Sequence, residues 1–233
     1  MISKFKLGVF LSLFFAVSCS SDNASNNENN QPKNYKYLAL GDSYTIGQSV
    51  CETCRFPIQL QDSIKKYIRE NDTFQTRIIA QTGWTTTNLK SAIASQNPTN
   101  DYDLVTLLIG VNNQYQNTPF SVYQQEFPEL VLTAIQKAKG KKENVIVVSI
   151  PDYAFTPFGG GNSTISTQID TYNAFAENYC LQNSITFINI TDITRQGLLQ
   201  TNLVANDGLH PSTIAYTQFV ERILPKVKEK FEL

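Results

Sequence analysis

Five short apolar runs, separated by stretches of helical spacing, limit this chain to few architectures. Tyr37 to Leu40, Thr76 to Ala80, Leu104 to Ile109, Asn144 to Ile150 and Ile185 to Ile190 read as strands. Pro57 to Glu70, Phe120 to Ala138 and Ile169 to Leu181 carry apolar residues at helical spacing, and Ile214 to Val227 closes the chain the same way. The strand runs are apolar almost throughout instead of alternating, the pattern of strands buried on both faces. Strand and helix in alternation predict an α/β fold: a five-stranded parallel sheet with helices on both sides, a three-layer α/β/α sandwich. Asp152 to Ser166, with its Gly and Ser residues, reads as a loop near the strand ends. The 233 residues suffice for one domain with a sizeable core. No internal repeat and no dinucleotide-type glycine fingerprint after the first strand is present.

The N-terminus carries a targeting signal. Lys4 and Lys6 precede an apolar run from Leu7 to Val17, too short to span a bilayer as a helix. Ala16-Val17-Ser18-Cys19 resembles a bacterial lipobox, in which the cysteine is lipidated and becomes the first residue. Residues 20–34 hold six Asn and no large apolar side chain, so they cannot offset the entropy of ordering. A coil of that length reaches roughly 20 Å. The chain is thus read as a leader at 1–18, a lipidated Cys19 with a flexible tether at 19–34, and a folded domain at 35–233. The expected location is a bacterial cell envelope, with the membrane reached through the lipid anchor. Without Lys4 and Lys6 the remaining 17 basic and 20 acidic groups form no polybasic surface, so no nucleic acid partner is expected.

Cys51 and Cys54 form a Cys-x-x-Cys pair, and Cys180 stands alone. The pair admits a small disulfide loop, free thiols, or redox or metal work. A second ligand pair is missing, which weakens a structural zinc site. An exported chain favours the disulfide, expected as a loop on the rim of the active site. Cys180 is expected as a buried apolar residue near a helix end.

Ligands of open parallel sheets gather beyond the carboxyl ends of the strands. Gly41-Asp42-Ser43, Gly83, and Gly110-Val111-Asn112-Asn113 fall there, and Asp207-Gly208-Leu209-His210 precedes the last helix. A serine hydroxyl needs a base to become a nucleophile. His210 is the single histidine, so a Ser-His mechanism within one subunit must use it. Asp207, three residues earlier, is within reach of the imidazole Nδ1 through a turn. Gly and Asn beyond neighbouring strands can supply donors to an oxyanion.

In this order the motifs resemble those of the SGNH (GDSL-type) hydrolases, in a lipoprotein form. Gly41-Asp42-Ser43-Tyr44-Thr45 corresponds to the first family block, Gly83 in Gln-Thr-Gly-Trp-Thr-Thr to the second, Gly110-Val111-Asn112-Asn113 to the third and Asp207 to His210 to the fifth. The resemblance spans about residues 36 to 230 and implies the flavodoxin-like SGNH fold. It implies Ser43 as nucleophile, His210 as base and Asp207 as the acid orienting it. It also implies an oxyanion hole of the Ser43 and Gly83 amides and the Asn112 side chain. Asn113 stands where the family usually has Asp, which bears on local hydrogen bonding more than on catalysis.

The implied activity is hydrolysis of carboxylic esters through an acyl-enzyme, on acyl or acetyl esters of lipids or carbohydrates, with no cofactor and no metal. The expected partner is a small-molecule, lipid or glycan ester. Trp84 is a candidate pocket wall or core residue, and Tyr44 a scaffold residue. Two alternatives remain: a non-catalytic envelope binding protein on a hydrolase fold, and a thiol-disulfide protein using Cys51 and Cys54.

Overall fold

The computed structural model describes residues 1–2 and 31–233. The leader, the lipobox with Cys19 and most of the tether lie outside the described residues. The body Pro32–Leu233 forms one compact unit.

The chain enters on β1 (Asn34–Gly41), turns through α1 (Ser43–Ile46), and crosses over by α2 (Phe56–Ile64) to β2 (Thr73–Ala80). Helix α3 (Thr86–Gln96) leads to β3 (Leu104–Leu108), and α4 (Val111–Tyr115) and α5 (Phe120–Lys137) lead to β4 (Val145–Val148). Helix α6 (Ser163–Gln182) crosses to β5 (Thr186–Ile188), and α7 (Thr191–Thr194) and α8 (Thr213–Phe231) complete the chain. All four strand pairings are parallel, in the order β2-β1-β3-β4-β5.

That order reverses direction once. The chain steps from β1 outward to β2, then back past β1 to β3 and on to β4 and β5. Right-handed crossovers then put the β1–β2 connection on one face and the later ones on the other. Packing follows suit: α2 lies against α8, while α3 and α6 each lie against α5. The sheet between them is the core, with Leu38, Leu40, Leu104, Leu107 and Ile146 fully buried.

All five expected strands are present, and the three-layer parallel fold is as read. Two local differences have identifiable causes. Helix α3 went unread because its apolar face is only Leu89, Ala92 and Ile93. Its start is marked by a capping box, in which Thr85 accepts from the Asn88 amide and the Asn88 side chain accepts from that of Thr85. Helix α6 begins at Ser163, inside the segment read as a loop. Its first turn carries a single apolar residue, the half-buried Ile165, so periodicity does not reveal it. Asn162 Oδ1 starts it by accepting from the amides of Thr164 and Ile165.

Candidate active site

In a sheet of this order the strand direction of travel reverses between β1 and β3, and a crevice opens beyond their carboxyl ends. Ser43 follows β1 and Asn112 follows β3, so both stand at that crevice.

Gly41 ends β1 because nothing larger fits: a Cβ there would lie 2.5 Å from the Leu108 carbonyl and closer still to the Thr45 hydroxyl. Asp42 caps α1, its Oδ1 accepting from the Tyr44 amide at 3.0 Å. Ser43 is therefore the first helical residue, and the amides of a helix's first turn have no intrahelical acceptor. The helix stops after one turn at Gly47, whose φ of 76° suits glycine and whose amide returns to the Ser43 carbonyl at 3.0 Å. Asp42 is fully buried with no cationic partner among the described residues, and burial pushes its carboxyl up to about 7.

Gly83 adopts φ 83°, and Gln116 Nε2 holds its carbonyl at 2.8 Å. Among the described residues the amides of Ser43 and Gly83 donate to no protein acceptor. The Asn112 amide nitrogen donates to the Trp84 carbonyl at 3.1 Å. Its approach to Asp42 Oδ2, at 3.5 Å, is at the long limit of a hydrogen bond. One of its two hydrogens is thus only weakly committed.

Asn113 explains its own presence. Its Oδ1 accepts from the Thr86 amide at 3.0 Å, while its Nδ2 donates to the Thr86 hydroxyl at 2.7 Å. That hydroxyl in turn donates to Glu126 at 2.6 Å. The Thr86 hydroxyl needs a donor at this point, and a carboxylate has none. Asn113 thereby ties the β3 turn carrying Asn112 to the start of α3, just after Gly83.

The last segment is a tight loop. Gly208 adopts φ 71°, and Ala205 donates to the His210 carbonyl at 2.7 Å. Asp207 Oδ1 accepts from the amides of Leu209 and His210 at 2.9 and 3.0 Å. Its Oδ2 meets His210 Nδ1 at 2.7 Å. Burial pushes the Asp207 carboxyl up, but the hydrogen bonds from Ser49, His210 and the two amides outweigh it and hold it well below the usual range. An ionised carboxylate only accepts, so Nδ1 carries the imidazole proton and Nε2 is left as the basic nitrogen. The buried ring of His210 lies against Tyr44, centroids 5.2 Å apart.

Ser43, Gly83, Asn112 and His210 line one cavity of about 190 Å³. Four of the residues read from the sequence thus meet in one space, with Asp207 bonded behind His210. Most of the remaining wall is apolar, formed by Tyr44, Val111, Tyr115, Tyr153, Phe158 and Leu209 beside the polar Thr82, and the sequence did not single out Tyr115, Tyr153 or Phe158. The three aromatic rings form a cluster with centroids 6.0–6.3 Å apart. Gln114 fixes Tyr153 by accepting its hydroxyl at 2.8 Å. Tyr115 sits one turn after Asn112 on α4, a proximity that the sequence does contain. Trp84 packs against the core and gives the site its carbonyl, with its ring outside the cavity lining. Tyr44 is scaffold, as read, and also touches the cavity.

Cys51 and Cys54 are joined in a disulfide, Cα atoms 5.0 Å apart, which removes both from thiol redox nucleophilicity and zinc ligation in this state. The expected position on the substrate rim is not met. Cys51 and Ser49 line a separate groove with Ala205 and Asn206, beside Asp207, and share no residue with the lining of the serine cavity. Gln48 still returns its amide to the Ser43 carbonyl at 3.0 Å, and the next residue, Ser49, bonds Asp207, so the chain runs to the Asp207 side before it reaches Cys51. Cys180 is free and fully buried near the end of α6, as expected.

A parallel α/β sandwich that gathers a serine, a histidine and two uncommitted backbone amides at its switch point has the parts that a serine hydrolase uses. The profile of the GDSL-like Lipase/Acylhydrolase family matches residues 39–218, and the chain belongs to that family. It is a carboxylic ester hydrolase. Among solved structures the chain resembles the lipase/acylhydrolase from Enterococcus faecalis, with a TM-score of 0.64 at 18% identity over 84% of this chain and 96% of that one. A lipolytic G-D-S-L family member from Veillonella parvula gives 0.63 at 16% identity, covering 82% and 97%. A variant of an acetyl xylan esterase from Geobacillus stearothermophilus gives 0.61 at 16% identity, covering 84% and 95%. No curated protein sequence matches the chain. At these identities the structural likeness speaks to fold.

Proposed function

We propose that the protein hydrolyses esters of short acyl groups through a covalent acyl-serine on Ser43. The observation that carries this reading is one cavity holding Ser43 and His210, with His210 Nδ1 bonded to Asp207 at 2.7 Å. Ser43 attacks the ester carbonyl as His210 Nε2 takes its proton. The oxyanion forms among the Ser43 and Gly83 amides and the Asn112 side chain. Asp207 stabilises the imidazolium, which then protonates the leaving alcohol. Water, deprotonated by the same nitrogen, releases the acid and restores Ser43. Among the described residues the Ser43 hydroxyl makes no side-chain hydrogen bond, and in this mechanism a Ser43–His210 bond forms as substrate binds.

Cavity size argues for a short acyl group. At about 190 Å³ the space is below the roughly 300–1,000 Å³ usual for small-molecule sites. Its aromatic wall favours a compact apolar group such as acetyl to butyryl. Phe158 and Tyr115 are half exposed at the opening, where a sugar ring or an alcohol of varied shape can rest. The likeness to an acetyl xylan esterase supports including acetylated glycans among the substrates.

The test is a series of p-nitrophenyl esters from acetate to palmitate, with acetylated xylo-oligosaccharides beside it and a fluorophosphonate label on the protein. The expected kcat/KM is highest at acetate to butyrate and falls at least tenfold by dodecanoate, with label on Ser43. Faster turnover of palmitate would refute the short-acyl reading. A folded protein that takes no label would support the non-catalytic binding alternative.

We also propose export to a bacterial envelope and lipidation of Cys19, on the strength of Lys4, Lys6, the apolar run and Ala16-Val17-Ser18-Cys19. Intact mass of the mature chain is expected to show a diacylated or triacylated Cys19, and Cys19→Ser to abolish it. An unmodified terminus at another residue would exclude the anchor.

A further inference from the structure

We propose that Ser49 is a positioning residue for the acid–base pair, fixing Asp207 so that His210 keeps its orientation; this rests on the mechanism proposed above. The Ser49 hydroxyl donates to Asp207 Oδ2 at 2.5 Å, the same oxygen that meets His210 Nδ1 at 2.7 Å. With the amides of Leu209 and His210 on Oδ1, the carboxylate has four donors for its four main lone-pair directions. Three of the four come from its own loop. Ser49 is the one that comes from elsewhere, 158 residues away in sequence. Without it, Asp207 is held only by the loop it belongs to, and its Oδ2 can rotate or exchange to water.

The backbone is arranged to present this hydroxyl. Gly47 turns left-handed, the Gln48 amide returns to the Ser43 carbonyl at 3.0 Å, and Ser49 itself adopts φ 68°. A left-handed serine is uncommon, and such conformations persist where the surroundings over-determine them. Here Thr82 anchors Gln48 from one side, its hydroxyl donating to Gln48 Oε1 at 2.6 Å. The Cys51–Cys54 disulfide closes the chain just beyond on the other. The segment that begins with Ser43 therefore ends on Asp207. One short stretch of chain sets the distance between the nucleophile and the group that orients its base.

The chemistry predicts how the role is read. Ser49 touches neither the cavity nor a substrate, so its loss acts on kcat and leaves KM in place. Loss of the partners that orient metal-bound ligands costs about 10–100-fold in metal sites, and an orienting partner of Asp207 is of the same kind. The side chain is exposed and water can replace it in part, so about tenfold is expected.

The experiment uses the full chain with p-nitrophenyl acetate, comparing wild type, Ser49→Gly and Ser49→Thr. Glycine suits φ 68° and removes the hydroxymethyl group that carries the donor; threonine keeps the hydroxyl but burdens the backbone. The expected result is a kcat about tenfold lower in Ser49→Gly with KM within twofold, and a higher kcat in Ser49→Thr than in Ser49→Gly. A backbone role alone predicts the reverse order. Because His210 is the single histidine, its ring ¹⁵N signals are read without assignment. They should move in Ser49→Gly, whether or not the wild type turns over this ester. Wild-type kcat in Ser49→Gly, a change confined to KM, threonine no better than glycine, or unchanged ring signals would each overturn the proposal. Absence of fluorophosphonate label on wild type, with the ring signals still moving, would instead count against the acyl-serine mechanism alone.

Discussion

Ser43→Ala is expected to lower kcat by roughly 10⁴–10⁶-fold while leaving the protein folded. In the proposed mechanism the loss is large because nucleophile, base and orienting acid act as a unit. Once the hydroxyl is gone, His210 has no proton to take and no acyl-enzyme forms. The residual rate comes from direct attack by water beside the oxyanion donors. The fold should be indifferent, for local reasons. The cap of α1 is Asp42, which accepts from Tyr44, and the Ser43 hydroxyl makes no side-chain hydrogen bond. Alanine is also a good first-turn residue. A thermal midpoint within a few degrees of wild type, together with loss of fluorophosphonate label, checks the assignment. Retention of near-normal kcat in the purified variant would place the nucleophile elsewhere.

Asn112→Ala should lower kcat by about 10²–10³-fold with a smaller effect on KM, as loss of one oxyanion donor does in other acyl-transfer enzymes. The amide bonds the Trp84 carbonyl at 3.1 Å, yet its second hydrogen meets Asp42 only at 3.5 Å. A developing oxyanion, with full charge at short range, competes well for that hydrogen. The ground-state carbonyl carries less charge and gains less from it, which is why the defect belongs in kcat. A modest loss of stability is expected too, about 1 kcal/mol for the lost bond to Trp84. Thermal denaturation separates this from catalysis. A defect confined to KM would make Asn112 a substrate-recognition residue.

The parts of this protein that depend on short stretches of chain are legible in its sequence. Apolar runs and helical spacing identified the parallel sheet, because each strand's burial on both faces is written into its own residues. The Asp207–His210 bond spans three residues, and a turn suffices to make it. His210 stood out by being the single histidine. Even there, weakly apolar elements such as α3 escaped, since their stability comes from a cap and from α5 more than from periodicity.

What required the tertiary structure is every contact whose partners are far apart. The order β2-β1-β3-β4-β5 brings Ser43 and Asn112 to one crevice. Tyr115 and Tyr153 meet from α4 and the loop after β4 to wall the cavity. Ser49 reaches Asp207 across 158 residues, and Cys51 lines a groove with Ala205 and Asn206 that is separate from the serine cavity. Local sequence specifies backbone conformation over a few residues; it carries no record of which distant segment will lie opposite. That is decided when strand order and crossover handedness, driven by burial of the whole sheet, set the loops at one end of the molecule side by side.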